Sequence, residues 1–198
     1  MAETTAQAGP TVRPLPDPGA WTIDTNHSFI MFTVEHFRVA FARGIAGGTT
    51  GVITVGQDLA DTSVSAVIDA TTLTTANAQR DERMLGPDLL DVERFPTIEF
   101  TSTSLAGRGE NRYELSGELT IRDVTLPVTL DLVFNGVMID TRDRTRMGLT
   151  ATTEIQRDEF GAGEWGYAAL VGGGYMVPHA VKVTLDIEAT KDETAPEA

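Results

Sequence analysis

Three histidines, His27, His36 and His179, are the first chemical signal in the sequence, because three imidazoles around one open position make a catalytic zinc or haem-type site. Their spacing is not a helical ligand motif. His27 and His36 lie nine residues apart, so an unbroken strand would face them to opposite sides, and joint ligation requires a bulge or bend between them. Taken singly, His36 is placed to hydrogen-bond a ligand headgroup, and His27 beside Ser28 to order a turn. His179, between Pro178 and Ala180, is placed at a cavity mouth or in solvent. Ser28, His27 and Asp24 assemble a Ser-His-Asp trio on paper, but no G-x-S-x-G elbow or equivalent nucleophile setting accompanies them. Adjacent carboxylates such as Asp158-Glu159 and Asp81-Glu82 diverge and read as solvated surface. Arg80, Arg83, Arg43 and Arg157 offer bidentate donors either to a diphosphate headgroup, Arg80 foremost, or to surface carboxylates in weak ion pairs, the commoner use of exposed arginines. Gly172-Gly173-Gly174 lacks the strand-turn-helix context of a phosphate loop and reads as a flexible hairpin or mouth.

Positioning any of these groups falls to strands. Ile98, Phe100, Ser102 and Ser104 share one face of a period-two run, and the same alternation recurs through Tyr113 to Ile121, Leu126 to Phe134 and Met147 to Ile155. It appears again in Val64 to Ala70 and Val181 to Ile187. Arg108-Gly109-Glu110-Asn111, Asn135-Gly136 and the 44–51 stretch offer positive-φ residues for tight hairpins, which predicts antiparallel neighbours. One segment differs: 78–85 carries helix formers and no β-branched residue behind a capping Asn77, so a short helix is expected there, ended by Gly86-Pro87. About eight strands and one helix make an all-β barrel or a sandwich, and closure is the solution that removes exposed edges.

Composition limits the partners. A formal net charge of −14 disfavours nucleic acid and anionic membrane surfaces. With no cysteine there is neither a disulfide nor a thiolate site. Residues 1–20 are rich in Thr, Ala, Pro and Gly and are expected to be a disordered leader, with a barrel domain over 21–191 and a loose tail over 192–198. The leader lacks the apolar core of a secretory signal and no later run has the length of a membrane span, which predicts a cytoplasmic location.

Several strings, in order, resemble the bacterial YceI-like family: Trp21-Thr22-Ile23-Asp24, His27-Ser28, Phe32, Val34 and His36, then Arg43-Gly44. Asn77, Arg80-Asp81, Met84-Leu85, Asp88 to Val92 and Phe95 to Phe100 follow, with Gly117 to Thr125 and Pro127-Val128 after them. The sequence departs from the family at Val177-Pro178-His179-Ala180, where a Gly-Asp-type turn is usual, and in the loop Phe160 to Tyr167. The resemblance implies an up-and-down, lipocalin-like antiparallel β-barrel with an elongated apolar cavity and a polyisoprenoid as the ligand class.

An eight-strand barrel holds one small ligand only if its interior side chains leave room. The inward set is Ile30, Phe32, Val34 and His36 with Phe100, Leu119, Leu130, Leu132, Phe134, Leu149 and Leu185, joined by Arg80 and Trp165 at the mouth. These residues are equally the material of a packed core. The expected function is carriage of a polyisoprenoid or quinone-like lipid without chemical change and with no cofactor besides that lipid. The alternative is a metal- or haem-dependent enzyme built on His27, His36 and His179. Phe29 and Met31 make their strand apolar on both faces, so a helix, a loop or a second copy must cover it. A homodimer is the simplest cover, and an adaptor surface for another protein is a third reading.

Overall fold

The computed structural model describes residues 16–163, 173 and 176–191. Its strands are β1 (Gly19–Ile23), β2 (Phe29–His36), β3 (Ala40–Ala46), β4 (Thr49–Val55), β5 (Ser63–Asp69), β6 (Thr97–Gly109), β7 (Arg112–Ile121), β8 (Val124–Ile139), β9 (Thr145–Gln156) and β10 (Ala180–Lys191). Both β1 and β2 run along β10, with Ile23 opposite Ala189 and Phe29 opposite Asp186. They are therefore one stave interrupted by the turn at 24–28. Likewise β3 pairs β2 and β4 pairs β1, so these two make a second bent stave. Counted this way, eight antiparallel staves follow one another in chain order and β10 closes on the first, giving an up-and-down barrel. Among the described strands the outer edge of β3 stays open apart from one bridge, Ile45 to Thr74.

Two turn expectations and the leader boundary come out differently. Asn135-Gly136 is not a hairpin turn: Gly136 (φ 115°) takes up a bulge inside β8, where the register with β9 shifts between Phe134 and Gly136. The reversal comes later, because the Asp140 carboxylate accepts the amides of Arg142 (2.8 Å) and Arg144 (3.1 Å) and makes the turn itself. The 44–51 stretch is not a hairpin either; β3 and β4 do not pair with each other, and Gly48 (φ 64°) bends one stave. The first strand starts at Gly19, inside the expected leader. Trp21 is fully buried, its indole Nε1 donates to the Asp17 carbonyl, and the Asp17 carboxylate meets Lys191 at 3.1 Å. Residues 1–15 and the tail 192–198 lie outside the described residues.

The helix α1 (Ala78–Leu85) forms as its sequence predicts, with the Asn77 side chain accepting the Arg80 amide at 3.0 Å. Asp81 pins it to the barrel by accepting from Thr74 Oγ1 (2.7 Å) and the Thr75 amide (2.8 Å), while Thr74 bridges to Ile45 of β3. These bonds hold the Asp81 carboxyl below its ordinary value against the opposing effect of burial.

Inside, bulk is distributed by layer. One end is plugged by Trp21, Ile53, Phe134 and Met147. A middle layer contains Phe100, Leu115, Leu130, Leu132 and Ala151, and a third holds Ile30, Ala46 and Ile68. Outside, Arg146 bonds Asp24 (2.6 Å), Asp140 (2.7 Å) and Glu188 (3.2 Å), fastening the 24–28 interruption to β9 and β10. Burial works against the Asp24 charge, but the bonds from Arg146, His27 and the Asn26 amide outweigh it and hold its pKa at about 2. Phe29 and Met31 remain 47% and 38% exposed, so no described helix or loop covers that face.

Candidate ligand cavity

Between the plug and the opposite rim the barrel encloses a cavity of about 430 Å³, within the range of small-molecule sites. Strand parity places its walls. From β2 come Ile30, Phe32, Val34 and, at the rim, His36; from β6 and β7 come Phe100 and Leu119. Leu130 and Leu132 of β8, Leu149 of β9 and Leu185 of β10 complete the lining expected from sequence. Phe134 also points inward, but it belongs to the plug beneath the cavity and is not on its wall. Trp165 lies outside the described residues.

Polar groups concentrate where the cavity opens. Arg80 lines it from α1, with Nε donating to Thr75 Oγ1 (2.7 Å) and Nη2 to the Thr75 carbonyl (3.0 Å). Arg157 also lines it, but its guanidinium ties the surrounding chain together, donating to the carbonyls of Ala162 (3.1 Å) and Gly163 (2.8 Å). Burial pushes the Arg157 pKa down, opposed by the nearby Asp158 charge. Arg122 links the Leu89 and Gly161 carbonyls, which brings two mouth segments into contact. Gly163 (φ 58°) lies so close to the Asp88 carbonyl that no side chain fits there. Neither Arg43 nor Arg83 is on the wall; Arg43 lies over the Phe41 ring, 5.5 Å from its centroid.

The mouth holds what the alternation did not reveal. Met84, Leu89 and Leu90 reach the cavity from the helical segment, Phe41 from β3, and Phe160, Met176 and Val177 from the loops before β10. Phe160 is only 1% exposed. A signal did exist: Leu89-Leu90 is an apolar pair between Asp88 and Asp91, and such a pair in an acidic loop needs a surface to cover.

The histidines do not make a shared site. His27 stands on the outer turn and pairs with Asp24 at 3.0 Å, His36 is at the rim with its ring edge-on to Phe37, and His179 sits 3.0 Å from Asp158. Among the described residues their ligating atoms do not gather as a group of three, so the alternative of a His27, His36, His179 centre is overturned: the turn at 24–28 carries His27 out of line with β2. Among the described residues one possible metal group does occur, Asp24, His27 and Glu188, but Arg146 Nη1 already bonds both carboxylates. The Ser28 hydroxyl is bonded to the Glu188 carbonyl (3.2 Å) and accepts the Glu188 amide (3.1 Å), which gives it a structural role in place of a nucleophile's. No described helix is long and apolar enough to cross a membrane.

Comparison with known proteins agrees with this architecture. Residues 21–189 match the YceI-like domain. A UPF0312 protein of Vibrio vulnificus is 31% identical over 143 residues, covering 71% of this chain and 76% of that protein. One from Pseudomonas putida is 31% identical over 136 residues, covering 68% and 71%. Among solved structures, Burkholderia cenocepacia BcnA superposes with a TM-score of 0.73 at 20% identity, over 85% of this chain and 99% of that one. A polyisoprenoid binding domain from Saccharophagus degradans, implicated in plant cell wall breakdown, gives 0.68 at 15% identity, over 89% and 100%. The matched span, the order of the staves and these relatives together place the chain in the YceI-like family.

Proposed function

We propose that this barrel binds and carries an apolar lipid of the polyisoprenoid or quinone-like class and leaves it chemically unchanged. The observation that carries this reading is the cavity itself: about 430 Å³ walled by Ile, Leu, Val and Phe, plugged at one end and opening beside α1 at the other. The likeness to a solved polyisoprenoid binding domain supports the same ligand class. Each isoprene unit buried contributes about 4 kcal/mol gross at ~0.8 kcal/mol per CH₂, before ordering costs. Two or three units therefore suffice for useful affinity. Native mass spectrometry of the purified protein, followed by organic extraction, tests this. A stoichiometric apolar adduct with isoprenoid repeat mass is the expected result; a barrel that comes with no adduct and takes up no prenol or quinone on titration refutes it.

A further inference from the structure

Among the described residues the cavity wall contains one buried hydroxyl with no assigned work. Thr49, the first residue of β4, is 1% exposed and lines the cavity, yet its hydroxyl has no hydrogen-bond partner among the described residues. Its backbone is accounted for, since its carbonyl accepts from Thr25 Oγ1 at 2.9 Å. A buried hydroxyl left unpaired is destabilising, and such groups are rare in folded proteins. Two neighbouring threonines show the contrast: Thr72 Oγ1 bonds the Gly47 and Asp69 carbonyls, and Thr25 Oγ1 bonds Thr49 itself.

Register fixes how deep Thr49 lies. It is opposite Ile68, which is opposite Ile98, which is opposite Ile121, the last residue of β7. Because barrel strands tilt, this row climbs from Thr49 to the rim at Ile121; Thr49 itself stands midway along its bent stave, beside Ile68, with all of β3 between it and the rim at Ala40. A ligand oxygen bonded here lies midway down the cavity, on the polar group that the wall offers at that depth.

We infer that Thr49 reads a neutral oxygen of the bound lipid, a hydroxyl or carbonyl of the prenol or quinone type, and so sets both the ligand's orientation and its class. This rests on the carrier reading above. A phosphate is disfavoured at this position, because one hydroxyl cannot compensate a charge buried among isoleucines. A neutral oxygen needs only the single bond that Thr49 offers.

The test compares farnesol with farnesene, which have the same carbon skeleton with and without the hydroxyl, against the wild type, Thr49→Val and Thr49→Ser. Thr49→Val is expected to weaken farnesol about three- to tenfold, the worth of one net hydrogen bond, while farnesene stays within about twofold of the wild type. Thr49→Ser should retain most of the farnesol preference. Ligand-free Thr49→Val should melt at or above the wild-type temperature, since it removes an unpaired hydroxyl at nearly constant volume. Equal effects of Thr49→Val on both ligands, or none on either, overturn the role of Thr49 while leaving the carrier reading intact. A fall in the ligand-free melting temperature overturns it too, because the hydroxyl then already has a partner in the empty protein. A wild type that binds neither compound overturns the carrier reading and this inference with it.

Discussion

Ala151 offers the sharpest test of whether the barrel interior is a binding cavity or a core. It is 3% exposed, lies in the middle layer opposite Leu132 and Leu185, and faces the cavity. Ala151→Phe adds six carbons, roughly the bulk of one isoprene unit, into the space assigned to ligand. If that space is empty in the free protein, the ring gains contacts and the melting temperature holds or rises. If it is a close-packed core, overpacking costs about 1–3 kcal/mol, which in a domain this size lowers the melting temperature by roughly 2–12 °C. Ligand length gives the second readout. Losing room for one isoprene unit forfeits about 4 kcal/mol gross, of which about half survives ordering costs, so a prenol that fills the cavity binds roughly thirtyfold more weakly. One shorter by a unit is unaffected. Thermal melts and displacement titrations with geraniol, farnesol and geranylgeraniol measure both. A drop in melting temperature together with equal loss of every prenol refutes the cavity.

Three further outcomes are expected. Gly117→Ala places a Cβ 2.5 Å from the Phe100 ring and 2.6 Å from the Thr101 carbonyl, so the ring is driven into the cavity and the urea midpoint falls by the equivalent of about 1–3 kcal/mol. The Asp24 carboxyl has a folded pKa of about 2 against 3.8 when unfolded. Its stabilisation is therefore complete above roughly pH 4 to 5 and is lost as pH falls toward 2, about 1 kcal/mol once solvent screening is allowed for. Melting curves between pH 2 and 7 should show that slope, and Arg146→Met should flatten it while lowering stability at neutral pH. Trp21→Ala removes the fully buried ring of the plug and should cost about 3–5 kcal/mol in chemical denaturation, far more than any substitution at the mouth.

What could be read in the sequence follows from what has a period. Alternation identified every stave from β5 onward and assigned Ile30, Phe32 and Val34 to the interior and Phe29 and Met31 to the exterior, because burial on one face of a strand forces that pattern. Bends have no period. Gly136 and Gly48 carry the turn composition of hairpins, but the strands continue past them, since the partner strand supplies more hydrogen bonds by continuing than a reversal would. The mouth was hidden for the same reason: Met84, Leu89, Phe160 and Met176 meet only through tertiary packing, from segments as far apart as α1 and the loop before β10. The histidine alternative stayed open because residue type alone says nothing of the turn that sets His27 apart.

Room for a ligand in so narrow a barrel needs a physical reason, since an eight-stranded interior is just wide enough for its own side chains to fill. Two arrangements supply it. The large side chains gather at the ends, Trp21, Phe134 and Met147 in the plug and Phe160 at the mouth, while Ala46, Ala66 and Ala151 stand along the walls between. The two phenylalanines that do occupy the wall lie flat on glycine: Phe32 covers the inner face of Gly44, its partner in the β2–β3 register, and Phe100 covers Gly117. A side chain at either glycine would lift its ring into the lumen. The glycines thus set the width of the cavity while the leucines set its polarity, and substitutions at the two kinds of position should separate ligand capacity from ligand preference.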